Sequence, residues 1–457
     1  MVENYFFSLD NPIADIAWPN IPNQSATFTL GMLRYVESSQ WLAPDVLREQ
    51  QFLQLAHVLE QASEFVPYYR DNNYARFCDS KHRSKLIDQW LNIPLLTRRT
   101  IQQHTTSMHH GALSPQHGTP VILSSSGSTG QPVSVLADLV TQFFFHVFSL
   151  RHYHWHRYDF KQKIAVIRDM AHEGAALPYG QSFNSWGSFT QGMIKTSPCH
   201  VLQLCDVRKQ AEWLDMINPD YFMCYPTVLR ELLFLDTPKP PNLKSITTFG
   251  ELVDASLRQE VHSKWHIPLV DIYSSSEVGY IALQCPYYDH YHVQDENVLV
   301  EILDENNNPC RPGEVGRVII TALHNIASPL IRYDIGDYAQ VGEPCPCGRG
   351  LSVIQHILGR QRNMLTLPNG EKRWPTFTGN TDINLISLFK DMQFQVIQKT
   401  LYNIEISLVS AYGMVAEEKL IPQLQNIFGY PFNITFNYVT SIPRSANGKF
   451  EDFKSLV

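Results

Sequence analysis

Between residues 163 and 273 short apolar, β-branched runs alternate with stretches of helical spacing: KIAVI at 163–167, YFMCY at 221–225, SITTF at 245–249 and PLVDIY at 268–273. This alternation constrains the fold most. Strands that take turns with helices assemble into a largely parallel sheet covered by helices. The pattern changes at about residue 297, where NVLVEIL, GRVIITAL and DYAQV are separated only by turn residues, as in an antiparallel meander or a small barrel. Further on, QVIQKTLYNIEISLV, EEKLIPQLQNIF and NITFNYV predict a small separate α+β domain. No internal repeat is visible.

Earlier in the chain, Leu47, Leu55, Val58, Leu59 and Ala62 recur at near-helical spacing over 45–65, and Pro67 should end that helix. Asp45, Glu49 and Glu60 read as its solvated face. A second helix is expected after Pro94-Leu95-Leu96, with Thr97 as N-cap. VILSS at 121–125 reads as a strand and VTQFFFHVFSLRHYHW as a helix, which places SSSGSTGQPV, residues 124–133, between a strand and a helix.

At 457 residues the chain exceeds one ordinary core, so more than one domain is expected. A net charge of -8 excludes a general nucleic-acid binder, which needs excess cationic charge to neutralise phosphates. No apolar run reaches the roughly 20 residues that span a bilayer. The start, MVENYFFSLDNP, lacks a basic segment followed by an apolar core, so no membrane partner and a cytoplasmic location are expected. The eight cysteines are irregularly spaced in a long chain, which argues against a disulfide framework.

Four short stretches carry chemistry. In SSSGSTGQP the composition alone allows a solvated Ser-rich turn or a loop whose N–H groups and hydroxyls wrap a phosphate; the Gly-Lys-Ser/Thr ending of a P-loop is missing. DIYSSSEVG at 271–279 runs from a strand into a polar turn. There Tyr273 could stack on a base, Ser276 could hold a phosphate, and Glu277 could take Mg²⁺ as a hard oxygen ligand. In SPLIRYDIGDYAQV, Asp337 follows Gly336 and could accept both hydroxyls of a ribose. In SIPRSANGKFED, Lys449 follows Gly448 in a polar loop. A bland reading stands beside each: polar loops, a surface turn and a solvated lysine.

In this order and at these separations the four stretches resemble the adenylate-forming superfamily of acyl-CoA ligases, adenylation domains and luciferases. Gly359-Arg360 resembles the hinge pair of that superfamily. SEFVPYYRD, NIPLLTRR, FGELVD, CPYYDHYHVQDENVLVEILDE and CPCGRG are similar to the phenylacetate-CoA ligase-like branch. The resemblance implies an α/β fold: a large N-terminal domain, 1–359, with helix-covered sheets and a barrel-like lobe at about 280–350, and a mobile α+β C-terminal domain, 360–457. It implies that Ser125, Ser126, Gly127, Ser128, Thr129 and Gly130 hold the β/γ-phosphates of ATP and that Tyr273 stacks on adenine. Asp271, Gly250 and Glu251 would lie near the adenine edge, and Asp337 and Arg360 would hold the ribose. Glu277 with Mg²⁺, Ser276 and Lys449 would serve the transfer itself.

The activity so implied is activation of a carboxylic acid, aromatic by the habit of the branch, as acyl-AMP with release of pyrophosphate, then transfer to CoA. Alternatives are an acyl carrier protein thiol or a nitrogen nucleophile as acceptor, or a non-catalytic nucleotide-binding relative. A second copy of the chain is a further candidate partner. The sequence departs from the family at Gln131, at Arg362-Asn363 and in PTFTGN, and the last two touch the thiol step. In the segment 178–192, Phe183, Trp186 and Phe189 are candidate walls of the acid pocket or plain core.

Cys285, His290, His292, Cys345 and Cys347 form two clusters about fifty residues apart. Thiolates and imidazoles in such a set suit tetrahedral Zn²⁺, against a bland reading of buried free thiols. By resemblance the ligands are Cys285, His292, Cys345 and Cys347, and the zinc is structural. RHYHWHRYDF at 151–160 is read as packing and the edge of a substrate channel, not as a metal site.

Overall fold

The computed structural model describes residues 9–10, 13, 15–16, 18–78, 83–124, 132–169, 173–360, 363–373, 388–389, 392–410, 414–442 and 453–457. Its helices are α1 (Gln24–Ser39), α2 (Pro44–Phe65), α3 (Pro67–Asp71), α4 (Arg83–Gln89), α5 (Arg98–Gln103), α6 (Leu139–Trp155), α7 (Val207–Ile217), α8 (Pro226–Phe234), α9 (Ala255–Trp265) and α10 (Glu417–Phe428). The helix expected over 45–65 is α2, which buries the five predicted apolar residues and leaves Asp45, Glu49 and Glu60 exposed. Thr97 caps α5 as expected, its hydroxyl accepting from the Thr100 N–H at 3.1 Å. Thr97→Ala is expected to lower stability by about 1 kcal/mol, the usual worth of an N-cap. An unchanged denaturant midpoint would refute that role.

The strands of the large part are β1 (Val121–Ser124), β2 (Ser134–Ala137), β3 (Ile164–Arg168), β4 (Gln181–Phe183), β5 (Cys199–Gln203), β6 (Tyr221–Cys224) and β7 (Ser245–Phe249). They continue as β8 (Leu269–Ser275), β9 (Gly279–Gln284), β10 (Tyr291–Val293), β11 (Val298–Leu303), β12 (Val315–Ala322), β13 (Tyr333–Val341) and β14 (Val353–Arg360). Twelve of them form one sheet in the order β11-β12-β13-β14-β10-β9-β8-β7-β6-β3-β5-β4. Strands β5, β3, β6, β7 and β8 are parallel, as their alternation with helices predicted. Strands β11 to β14 are the antiparallel meander of the two arrangements expected there.

One expectation is corrected. SSSGSTGQPV does not lie between a strand and a helix. β1 and β2 pair antiparallel up to Ser124 opposite Ser134, so residues 125–131 join two strands of a hairpin. The four-residue β2 escaped notice because it ends one residue before the N-cap of α6, Asp138, which accepts from Thr141 N–H at 2.8 Å. Residues 125–131 themselves lie outside the described residues.

Helix α6 covers one face of the parallel strands. Trp186 and Phe189 fill the layer beneath it, 5% and 8% exposed, among Tyr153, Tyr158, Phe160 and Tyr221. They are core, and only Phe183 on the edge strand β4 stands open at 39% exposure. His152 of α6 and His156, the C-cap of that helix, have rings 5.2 Å apart. His152 is fully buried against Thr247, 3.3 Å from its hydroxyl.

The C-terminal part begins with β15 (Leu365–Thr366) and β16 (Lys372–Arg373), followed by β17 (Met392–Gln398), β18 (Asn403–Ser410), β19 (Asn433–Tyr438) and β20 (Phe453–Ser455). The last four form a sheet ordered β19-β18-β17-β20, with α10 supplying Leu424, Ile427 and Phe428 to a separate core. This part touches the large one through Gln393 of β17, whose amide donates to the Glu231 carboxylate of α8 at 3.0 Å.

Candidate functional site

The sheet coils, so that Tyr273 on β8 reaches Asp337 on β13, four strands away, and its hydroxyl donates to the Asp337 carboxylate at 2.8 Å. Burial, and then the charge of Asp337, push the Tyr273 phenol well above its usual range, which keeps it a donor. Asp337 lies directly opposite Arg360 in the register of β13 and β14, and the guanidinium is 3.5 Å from the carboxylate. Glu277 sits in the turn between β8 and β9, 5% exposed, with the Arg98 guanidinium 3.8 Å away. Ser276 beside it is exposed at the surface of the same turn. Tyr273, Glu277, Asp337 and Arg360, taken from three separate stretches of sequence, are therefore brought together.

Sequence reasoning missed two members of this group, Arg98 and Tyr333. Arg98 is the first residue of α5, and Tyr333 opens β13; both were within quoted stretches, TRR and RYDIGD, without a role. The backbone brings them in: Leu96 pairs with Tyr333 as a parallel bridge, through Leu96 N–H to Arg332 O and Asp334 N–H to Leu96 O, each 2.9 Å.

The side chains of two residues expected near the adenine edge are engaged within the fold. Asp271 is 3% exposed, and both its oxygens are taken up, Oδ1 by the Thr248 hydroxyl at 2.7 Å and Oδ2 by the Tyr291 hydroxyl at 2.8 Å. It ties β8 to β7 and β10. Burial raises its carboxyl despite the opposing charge of Arg258. Glu251 Oε2 accepts from the Thr227 N–H at 3.0 Å and hydroxyl at 2.8 Å, so this carboxylate caps the N-terminal turn of α8. Gly250 next to it takes φ +76°, in the left-handed region that favours glycine. Ser125 to Gly130 and Lys449 lie outside the described residues.

A second cluster is set in the lobe. The ligating atoms of Cys285, His292, Cys345 and Cys347 all lie within 4.8 Å of one another. Cys285 Sγ and Cys345 Sγ are 3.9 Å apart, and Cys347 Sγ is 3.4 Å from His292 Nε2. A tetrahedron built on metal–sulfur bonds of about 2.3 Å has edges of about 3.8 Å, so the donor set and its spacing fit Zn²⁺. His292 rather than His290 belongs to this group. The His290 ring stacks on Tyr288 instead, at 5.5 Å.

Arg349 completes the surroundings. Its guanidinium donates to Cys347 Sγ at 3.4 Å and to Gln40 Oε1 at 2.7 Å, between the rings of Trp41 and Trp155. Three thiolates and a neutral imidazole around a divalent cation carry one net negative charge, which this guanidinium offsets. Burial pushes the Cys285 and Cys345 thiols up, Cys345 to about 12. Burial also opposes ionisation of Cys347, but the Arg349 N–H and guanidinium outweigh it and hold that thiol below its usual range. The turn is clasped by Gly350, whose N–H donates to Gln40 O at 2.8 Å; a Cβ there would stand 1.8 Å from Leu42 O, so no larger residue fits.

Comparison with known proteins places the chain in a family. A family model described as AMP-binding enzyme matches residues 80–327, and one described as CapK C-terminal domain matches residues 380–455. The phenylacetate-coenzyme A ligase of Thermus thermophilus is 24% identical over 363 residues, covering 75% of this chain and 77% of that protein. The phenylacetate-coenzyme A ligase of Pseudomonas putida is 25% identical over 363 residues, covering 73% and 74%. The fold is shared with 2-hydroxyisobutyryl-CoA ligase in complex with 2-HIB-AMP, at a TM-score of 0.68 and 16% identity over 89% of each chain. Among the described residues, no helix is long and apolar enough to cross a membrane. With a match over more than half of its length, the chain belongs to the AMP-binding enzyme family, in the phenylacetate-CoA ligase-like branch of the adenylate-forming superfamily.

Proposed function

We propose that the protein activates a carboxylic acid with ATP, releasing pyrophosphate, and passes the acyl group to the thiol of CoA. The observation that carries this reading is the convergence of Tyr273, Glu277, Asp337 and Arg360 at one point of a coiled sheet. In this reading the acid's carboxylate attacks the α-phosphorus, an acyl–phosphate bond forms, and the bond to pyrophosphate breaks. Two anions must approach each other, so the chain has to supply preorganised positive charge and donors. Asp337 and Arg360 hold the ribose, and Tyr273, fastened to Asp337, presents its ring to adenine. Ser125 to Gly130 hold the phosphates together with Ser276 from the turn between β8 and β9. Glu277 holds Mg²⁺, which when bound supplies Lewis-acid charge on the phosphates. Lys449 places its ammonium on the leaving oxygens.

The division proposed is 1–359 for nucleotide and acid and 360–457 for a lid that carries Lys449. Names of relatives support an aromatic acid and CoA as acceptor, since both phenylacetate-coenzyme A ligases cover about three quarters of the chain. The four-ligand cluster has no open position and is assigned to zinc-dependent stability. The test is acid-dependent exchange of labelled pyrophosphate into ATP, run over a panel of aryl and alkyl acids, with product mass read after CoA is added. Exchange with an aryl acid and a thioester product are expected. Absence of exchange with every acid, together with no nucleotide binding, would overturn the reading.

A further inference from the structure

The Tyr333 side chain is fully buried, yet its hydroxyl has no hydrogen-bond partner among the described residues. Buried donors are nearly always paired, because an unmade hydrogen bond keeps the desolvation penalty without compensation. This one is also held in place. Arg332 just before it adopts φ +51°, an uncommon conformation for a side chain of this size that survives only where the surroundings over-determine it. They do so here. The Arg332 guanidinium donates to Leu91 O at 2.9 Å, to Ile93 O at 2.7 Å and to both oxygens of Glu301 at 2.9 and 3.1 Å. With Leu96 bridged to Tyr333 on the other side, the backbone that carries the phenol is fixed.

The charges that act on the Tyr333 hydroxyl are Glu277, Arg98, Arg360 and Asp337, in that order of weight. Glu277 and Asp337 are balanced by Arg98 and Arg360. Glu277 would hold a divalent cation, and with it the balance around the hydroxyl would be positive, which is the environment of an anionic oxygen. Burial, followed by the charge of Glu277, raises the phenol above its usual range, so it stays a donor and transfers no proton.

We propose that Tyr333 is a further nucleotide-binding residue, whose hydroxyl donates to a phosphate oxygen of bound ATP beside Glu277 and Arg98. This rests on the adenylating reading above. The test uses the full-length protein and Tyr333→Phe, with ATP and magnesium and no acid, followed by calorimetric titration and by the melting temperature without ligand. The variant is expected to bind about ten- to a hundredfold more weakly, the loss that goes with one hydrogen bond to a charged group. Its ligand-free melting temperature should be no lower than that of the wild type, since no existing bond is removed. Wild-type affinity in Tyr333→Phe overturns this assignment alone. So does a marked fall in the ligand-free melting temperature, which would show the hydroxyl already engaged in the fold. Wild-type protein that binds no ATP with magnesium overturns the parent reading and this one with it.

Discussion

Glu277→Gln is expected to slow acid-dependent pyrophosphate exchange by about 10² to 10³, the loss typical of removing a charge-stabilising group from a closed site. The substitution preserves shape and removes one negative charge, so it separates electrostatics from packing. Glu277 is 5% exposed and faces Arg98 at 3.8 Å, a separation too long for a strong hydrogen-bonded ion pair. That loose pairing is what a carboxylate kept for a cation should show, because a tight internal partner would compete with the metal. The loss should therefore appear chiefly as a raised magnesium requirement, with little change in ligand-free stability. Exchange close to the wild-type rate at unaltered magnesium dependence would mean that the cation sits elsewhere. Ser276→Ala, in the same turn but exposed, should alter exchange far less than Glu277→Gln.

The parallel half of the sheet was legible because KIAVI, YFMCY, SITTF and PLVDIY are apolar on both faces and separated by helical stretches, a pattern with few other solutions. Strand β2 was not, since four residues between a polar loop and a helix cap carry too little periodicity to register. The same holds for residues whose role is set by distant partners. Asp271 is placed near the adenine edge by resemblance alone, and its bonds to Thr248 and Tyr291, neither near it in sequence, were not legible. Trp186 and Phe189 read equally as pocket wall or core; the layer under α6 decides for core. Arg98 and Tyr333 carried no signal of their own, because a bridge between Leu96 and Tyr333 brings them together across more than two hundred residues. The cysteine cluster is the opposite case. Thiols and imidazoles are uncommon enough that two short clusters announce a shared centre, and the fold sets four of the five candidates within 4.8 Å.

That cluster carries the second large expectation. Purified protein should contain one zinc ion per chain, and prolonged chelation or Cys345→Ser should destabilise the lobe by several kcal/mol, because binding energy at a closed tetrahedral site is folding energy. The reach of the effect follows from what the site joins. Cys285 follows β9, His292 lies on β10, and Cys345 and Cys347 lie in the turn before β14, so one ion would fasten three neighbouring strands of the meander side. Arg349 carries the effect outward to Gln40, Trp41 and Trp155, that is, to the end of α1 and to α6. Removing a ligand should thus loosen the packing of α1 and α6 on the sheet, while Tyr273, Asp337 and Arg360 keep their mutual bonds. The expected signature is a lower melting temperature with pyrophosphate exchange per folded molecule retained. A zinc-free preparation with unaltered melting would refute the structural role, and exchange lost in proportion to zinc at constant melting would move the ion into the chemistry.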